Sequence, residues 1–96
     1  MKIFWTAAAS ADLARLHSFL APVAPDAAIR IVGQLVDAPN RLTEYPRIGE
    51  KLEGYEPREV RRIIVGRYEM RYEIAAGDIF ILRLWHGREH RTVSEP

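Results

Sequence analysis

The 96-residue chain is 48% hydrophobic and 28% charged, a balance that suits one folded domain over residues 1–96 and excludes a disordered chain. A net charge of +1 excludes a broadly cationic nucleic-acid binder, and the lack of cysteine excludes disulfide and thiolate chemistry. No apolar run approaches the roughly 20 residues of a membrane span, and Met1-Lys-Ile-Phe-Trp5 leads straight into folded-looking sequence, so neither a membrane segment nor a signal peptide is expected, and the expected location is cytoplasmic.

Lys2 to Thr6, apolar and aromatic, suits a first strand with Trp5 in the core. A hydroxyl at Thr6 or Ser10 can cap a helix by accepting from one of its orphan N–H groups. From Ala7 to Leu20, the residues Ala9, Leu13, Leu16 and Leu20 recur at helical spacing, and Pro22 ends the helix. His17 falls at the boundary of that apolar stripe. A second helix starts near Pro25-Asp26, with proline in the first turn where its missing N–H does no harm. It runs through Ala28, Ile31, Leu35 and Ala38, widened by Ile29, Val32 and Val36, and Pro39-Asn40 closes it. The two helices form an antiparallel hairpin whose alanines permit close packing.

Residues 43–57 have no periodicity and contain two prolines and two glycines, which predicts a long surface loop. Tyr45, Ile48 and Leu52 are expected to pin it to the core. After Pro57 the period becomes two. Val60–Val65 is a strand, Gly66-Arg67 a two-residue turn, and the next strand sets Tyr68, Met70, Tyr72 and Ile74 on one face, with Glu69, Arg71 and Glu73 on the other. Ala76-Gly77-Asp78 turns the chain again, and Ile79–Trp85 is nearly all apolar, as a strand covered on both sides would be. The helical hairpin must cover one sheet face, because it has nowhere else to bury its stripe. The other face stays open to solvent or a partner.

Charge is unevenly spread. Residues 58–96 contain eight basic residues, all arginine, against six acidic ones. Arginine favours bidentate contacts to phosphate or carboxylate and stacking on aromatic rings. Arg71, between Glu69 and Glu73, belongs either to an ion-pair ladder or to a functional face. Arg83 interrupts an apolar strand and by strict alternation shares a face with Ile79, Ile81 and Trp85, where it meets an aromatic ring or a partner's carboxylate. Trp85 is expected in the core. Glu59 is the candidate general base, with Arg58, Arg61 and Arg62 beside it to neutralise a phosphate. His86, at the strand end, is either a general acid or an ordinary hydrogen-bonding residue. His86 and His90 lack the further ligands of a metal site, so no metal or cofactor is expected, and His90 reads as solvated.

Several phrases resemble the RelE/ParE superfamily of toxins from bacterial type II toxin–antitoxin modules, which include plasmid-stabilisation systems. They are Trp5-Thr6 with Ala11-Asp12-Leu13, Tyr45-Pro46-Arg47-Ile48-Gly49, Pro57-Arg58-Glu59-Val60-Arg61, Gly66-Arg67-Tyr68-Glu69-Met70-Arg71-Tyr72-Glu73-Ile74 and Ile81-Leu82-Arg83-Leu84-Trp85-His86-Gly87-Arg88-Glu89. The resemblance spans nearly the whole chain. It implies an α+β fold of order β-α-α-β-β-β, with a mostly antiparallel four-stranded sheet covered on one face by the helical hairpin. It also implies growth inhibition, a cognate antitoxin whose C-terminal segment wraps the toxin, and a hetero-oligomer of the two.

Two activities diverge within that superfamily. ParE-like members are described as inhibitors of DNA gyrase, whereas RelE-like members cleave mRNA in the ribosomal A site. The wording here is closer to the ParE-like or undivided middle of the family, and Lys2 and Lys51 are the only lysines, where RelE-like nucleases carry several near the scissile phosphate. A binding toxin without turnover is therefore expected, with Arg58, Arg61, Arg62, Arg71, Arg83, Arg88 and Arg91 as binding residues. The rival is a ribosome-dependent mRNA endonuclease using Glu59, Arg71 and His86 or Arg88. A third reading is a degenerate member that keeps antitoxin binding without toxicity.

Overall fold

The computed structural model describes residues 1–88. The candidate residues His90 and Arg91 lie outside the described residues. The chain order is β1 (Ile3–Trp5), α1 (Ala7–Leu20), α2 (Pro25–Asp37), α3 (Asn40–Glu44), β2 (Glu50–Lys51), β3 (Glu59–Val65), β4 (Tyr68–Ala75) and β5 (Asp78–His86). This is the β-α-α-β-β-β order of the RelE/ParE fold, with α3 added at the Pro39-Asn40 stop of the second helix and β2 inside the segment expected to be loop. The sheet runs β1-β5-β4-β3-β2, with β1 parallel to β5 and every other pair antiparallel.

Local chemistry explains the boundaries. Thr6 caps α1 by accepting from the Ala9 N–H at 3.2 Å, and Pro25 opens α2. Gly66 takes positive φ in the β3–β4 turn. In the β4–β5 turn both Ala76 (φ 53°) and Gly77 (φ 79°) are left-handed, the geometry of a type I′ hairpin. Between the layers lie Ala9, Leu16, Leu35 and Leu42 from the helices and Ile63, Met70, Tyr72, Ile81 and Leu84 from the sheet.

Two expectations about packing fail for identifiable reasons. Tyr45 and Ile48 do not pin the loop, since they are 62% and 54% exposed. The short helix α3 carries the chain past Pro39 and turns Leu42 into the core, which leaves Tyr45 outside. Arg83 and Trp85 also lie on the opposite sheet face from Ile79 and Ile81. Tyr72 pairs with Ile81 but Arg71 with Arg83, so Leu82 is an extra residue, and this β-bulge reverses the alternation. Thr6 meets the bulge: its backbone N–H donates to the Ile81 carbonyl at 3.1 Å, and its hydroxyl lies 2.8 Å and 3.1 Å from the Ile81 and Leu82 carbonyl oxygens.

Candidate functional site

The sheet face turned away from the helices, which the sequence left open, buries Val60, Glu69 and Trp85 and carries a row of three arginines. Arg62, Arg71 and Arg83 are directly opposed across β3, β4 and β5. Like charges in that register repel, so carboxylates must be interleaved. Glu69, 4% exposed, lies 3.3 Å from an Arg62 nitrogen and 3.0 Å from Arg71 Nε. Glu50 takes Arg62 from the other side at 2.8 Å. Its hydrogen bonds raise the Arg62 pKa, against desolvation. Arg71 also donates to the Tyr55 hydroxyl at 2.8 Å and lies 4.9 Å from the centre of the Trp85 ring. The ladder reading of Arg71, Glu69 and Glu73 thus describes this face, with Glu73 forked by Arg58 at 2.9 and 3.2 Å.

Arg83 is committed to a carboxylate of its own chain. Its Nε and a terminal nitrogen donate to Asp12 of α1 at 2.8 and 3.1 Å, and Asp12, 5% exposed, also accepts from the Leu84 backbone N–H at 3.0 Å. Beyond Ile81 the outer edge of β5 has no strand partner among the described residues, and α1 supplies Asp12 there as an acceptor. The Asp12 hydrogen bonds raise the Arg83 pKa. The guanidinium also lies 6.0 Å from the Trp85 ring centre, and Trp85 is 2% exposed, consistent with a packing role.

Glu59 is braced for structure. It accepts from Arg47 at 2.9 and 3.0 Å and from Arg61 at 2.8 Å. Those bonds, Arg47's first, hold its carboxyl below the ordinary glutamate value, which makes it a poor proton acceptor. Arg61 also donates to the Gly49 carbonyl at 2.8 Å. Nearby, the buried Tyr72 hydroxyl donates to the Pro46 carbonyl at 2.6 Å and accepts from the Gly49 N–H at 3.1 Å. Burial raises the Tyr72 pKa, so it keeps the proton it donates.

The four candidate catalytic side chains are not brought together. Arg71 is on the open face, whereas Glu59 and His86 are on the helix-covered side of the sheet. Glu59 pairs with Ile74 and His86 with Tyr68, so they sit six β4 residues apart, roughly 20 Å at the usual strand rise. His86 packs edge-on against Tyr68, with its Nδ1 accepting from the Arg88 backbone N–H at 3.1 Å. Arg88 is exposed just past the strand end.

Of the candidate binding arginines, 58, 61, 62, 71 and 83 all form ion pairs within the chain. Among the described residues, the arginines without one are Arg30, Arg41, Arg67 and Arg88. Arg30 and Arg67 rim a groove that sequence reasoning did not anticipate. About 720 Å³ in volume, it opens between the helical hairpin and the β3–β4 turn, over Leu16, Phe19, Leu20, Ile31, Val65 and Tyr68. Arg15, Gln34 and His86 complete its polar rim, and among the described residues no carboxylate lines it. The clue in the sequence was Phe19, a large apolar residue off the buried stripe of α1. No helix among the described residues is long and apolar enough to cross a membrane.

A helical hairpin packed on one face of a sheet in this strand order is the RelE/ParE-like fold. The family described as "ParE toxin of type II toxin-antitoxin system, parDE" matches residues 3–91. The chain is 34% identical over 85 residues to Toxin RelE2 of Caulobacter vibrioides, an alignment that covers 88% of this chain and 93% of that protein. Its fold is similar to a solved chain titled "Chromosomal ParDE TA system from P. aeruginosa", with a TM-score of 0.75 and 22% identity over 90% of this chain and 95% of that one. The chain belongs to the ParE toxin family of type II toxin–antitoxin systems.

Proposed function

We propose that this toxin arrests growth by occupying a protein target, with DNA gyrase the first candidate, and does not turn over a substrate. One observation carries the reading: Glu59, Arg71 and His86 are dispersed over both faces and opposite ends of the sheet. General acid–base cleavage needs those groups within hydrogen-bond reach of one phosphate. The Arg47 and Arg61 bonds that hold Glu59 ionised weigh on the same side.

The cognate antitoxin neutralises the toxin as a hetero-oligomer in the cytoplasm. The groove between hairpin and β3–β4 turn supports an amphipathic, acidic antitoxin helix, whose apolar face would cover Leu16, Phe19 and Tyr68. Its carboxylates would meet Arg15, Arg30 and Arg67.

Induction of the toxin, with RNA integrity and the DNA-damage response followed together, tests the reading. Filamentation and damage signalling with intact mRNA are expected, and a Glu59→Ala/His86→Ala variant that still folds should remain toxic. Rapid translational arrest with codon-positioned mRNA cuts would overturn the binding mechanism in favour of the nuclease. Antitoxin binding without any growth defect would indicate a degenerate member.

A further inference from the structure

We infer that the loop Tyr45-Pro46-Arg47-Ile48-Gly49 is the surface with which the toxin grips its protein target, apart from the groove assigned to the antitoxin. The inference rests on the reading of the chain as a binding toxin. Single exposed apolar residues are ordinary. Here two large ones, Tyr45 and Ile48, are held out on a backbone that the fold fixes from beneath.

Tyr72 spans the loop, bonding the Pro46 carbonyl and the Gly49 N–H with one hydroxyl. Arg61 holds the Gly49 carbonyl, and Arg47 forks onto Glu59. Gly49 leaves no room for adjustment, because a Cβ there would lie 2.5 Å from the Arg62 carbonyl oxygen and 2.7 Å from the Tyr72 hydroxyl. A partner therefore spends little entropy ordering this loop, which raises the affinity obtained from a small contact.

The chemistry of the patch selects its occupant. Tyrosine, isoleucine and arginine exposed on a braced loop resemble the anchors of protein interfaces, where aromatic and arginine side chains dominate. Arg47 is already forked onto Glu59, and Glu44 lines the same hollow as Tyr45, so carboxylates are interleaved with the cations and the surface is not the uniformly cationic one a phosphate backbone favours. Arg41, without an ion pair among the described residues, lines the adjoining hollow with Ile48 and Ile64. The fitting partner is a protein surface with an apolar pocket for Tyr45 and Ile48 and a carboxylate for Arg41. Arg61 braces the loop four strand residues, roughly 13 Å, before the groove residue Val65, and Ile64 of the adjoining hollow lies on the opposite sheet face from Val65.

The test compares the full-length wild-type toxin with a Tyr45→Ala/Ile48→Ala variant, both induced in cells and both titrated with the cognate antitoxin. Both side chains are exposed, so the variant should melt like wild type. Growth inhibition should fall at least about tenfold, the effect of losing one interface anchor, while antitoxin affinity stays unchanged. A variant as toxic as wild type would overturn the inference. A parallel loss of antitoxin affinity would do so too, by assigning the loop to the antitoxin. Ultraviolet cross-linking of Tyr45 to RNA or DNA would overturn the choice of a protein partner. A wild-type chain that never arrests growth would instead overturn the toxin reading and this inference with it.

Discussion

Asp12→Ala should be among the most destabilising single changes outside the apolar core. It removes three hydrogen bonds at once, two from Arg83 and one from the Leu84 N–H. Breaking a buried ion pair from one side costs about 3–5 kcal/mol, and an orphaned backbone N–H is part of that loss. The Arg83 side chain is 22% exposed and lies near the Trp85 ring, so water and the ring recover some of the cost, leaving about 3 kcal/mol. For a domain of this size that corresponds to a fall in melting temperature of about 12–24 °C. Asp12→Asn keeps an acceptor for Leu84 and one for Arg83, and should lose about half as much. Urea and thermal unfolding of these two variants, of Arg83→Leu and of Asp12→Leu/Arg83→Leu form the assay. The double variant should be more stable than Arg83→Leu, because an apolar pair leaves no uncompensated charge. A cost below about 1 kcal/mol for Asp12→Ala, or a double variant that loses the full sum of its singles, would refute the reasoning.

Two further outcomes are expected from the geometry. Ala76 holds a left-handed φ of 53° beside Gly77, so Ala76→Asn, which supplies the preferred residue pair of a type I′ turn, should stabilise the fold by about 0.5–1 kcal/mol in urea unfolding. Arg30→Glu/Arg67→Glu should weaken antitoxin binding and flatten its salt dependence in titration calorimetry, because exposed pairs are screened beyond about 8 Å at physiological ionic strength. Wild-type affinity unchanged between low and high salt would count against the cationic rim.

The parts of the fold that depend on neighbouring residues were legible in the sequence. Helical spacing located α1, proline marked the start of α2, and alternation put Glu69, Arg71 and Glu73 together on the open face. The hidden parts depend on contacts between distant segments. The bulge at Leu82 has no compositional mark, and Thr6, 75 residues before Ile81, is the residue that meets the carbonyls around it. Asp12 and Arg83 pair across 71 residues, so a charge that invited an intermolecular reading is satisfied within the chain. Tyr45 and Ile48 looked like core anchors because they are apolar in a loop without period, whereas the anchoring falls to Leu42 and the Tyr72 hydroxyl. The groove escaped notice because it is formed between elements and belongs to none of them.

The bulge also bears on how residue roles are carried between relatives. Pairing Leu82 regularly with Arg71, without the bulge, would restore strict alternation, move Arg83 toward the apolar layer and send Leu84 outward. At 22–34% identity, an alignment that places its gap one residue away from this point would equate side chains on opposite faces of the sheet. Roles downstream of Leu82 therefore transfer between family members only where the alignment skips the extra residue at the bulge itself. For comparisons of Arg83, Trp85 and His86 between toxins, counting the bulge comes before counting conserved letters.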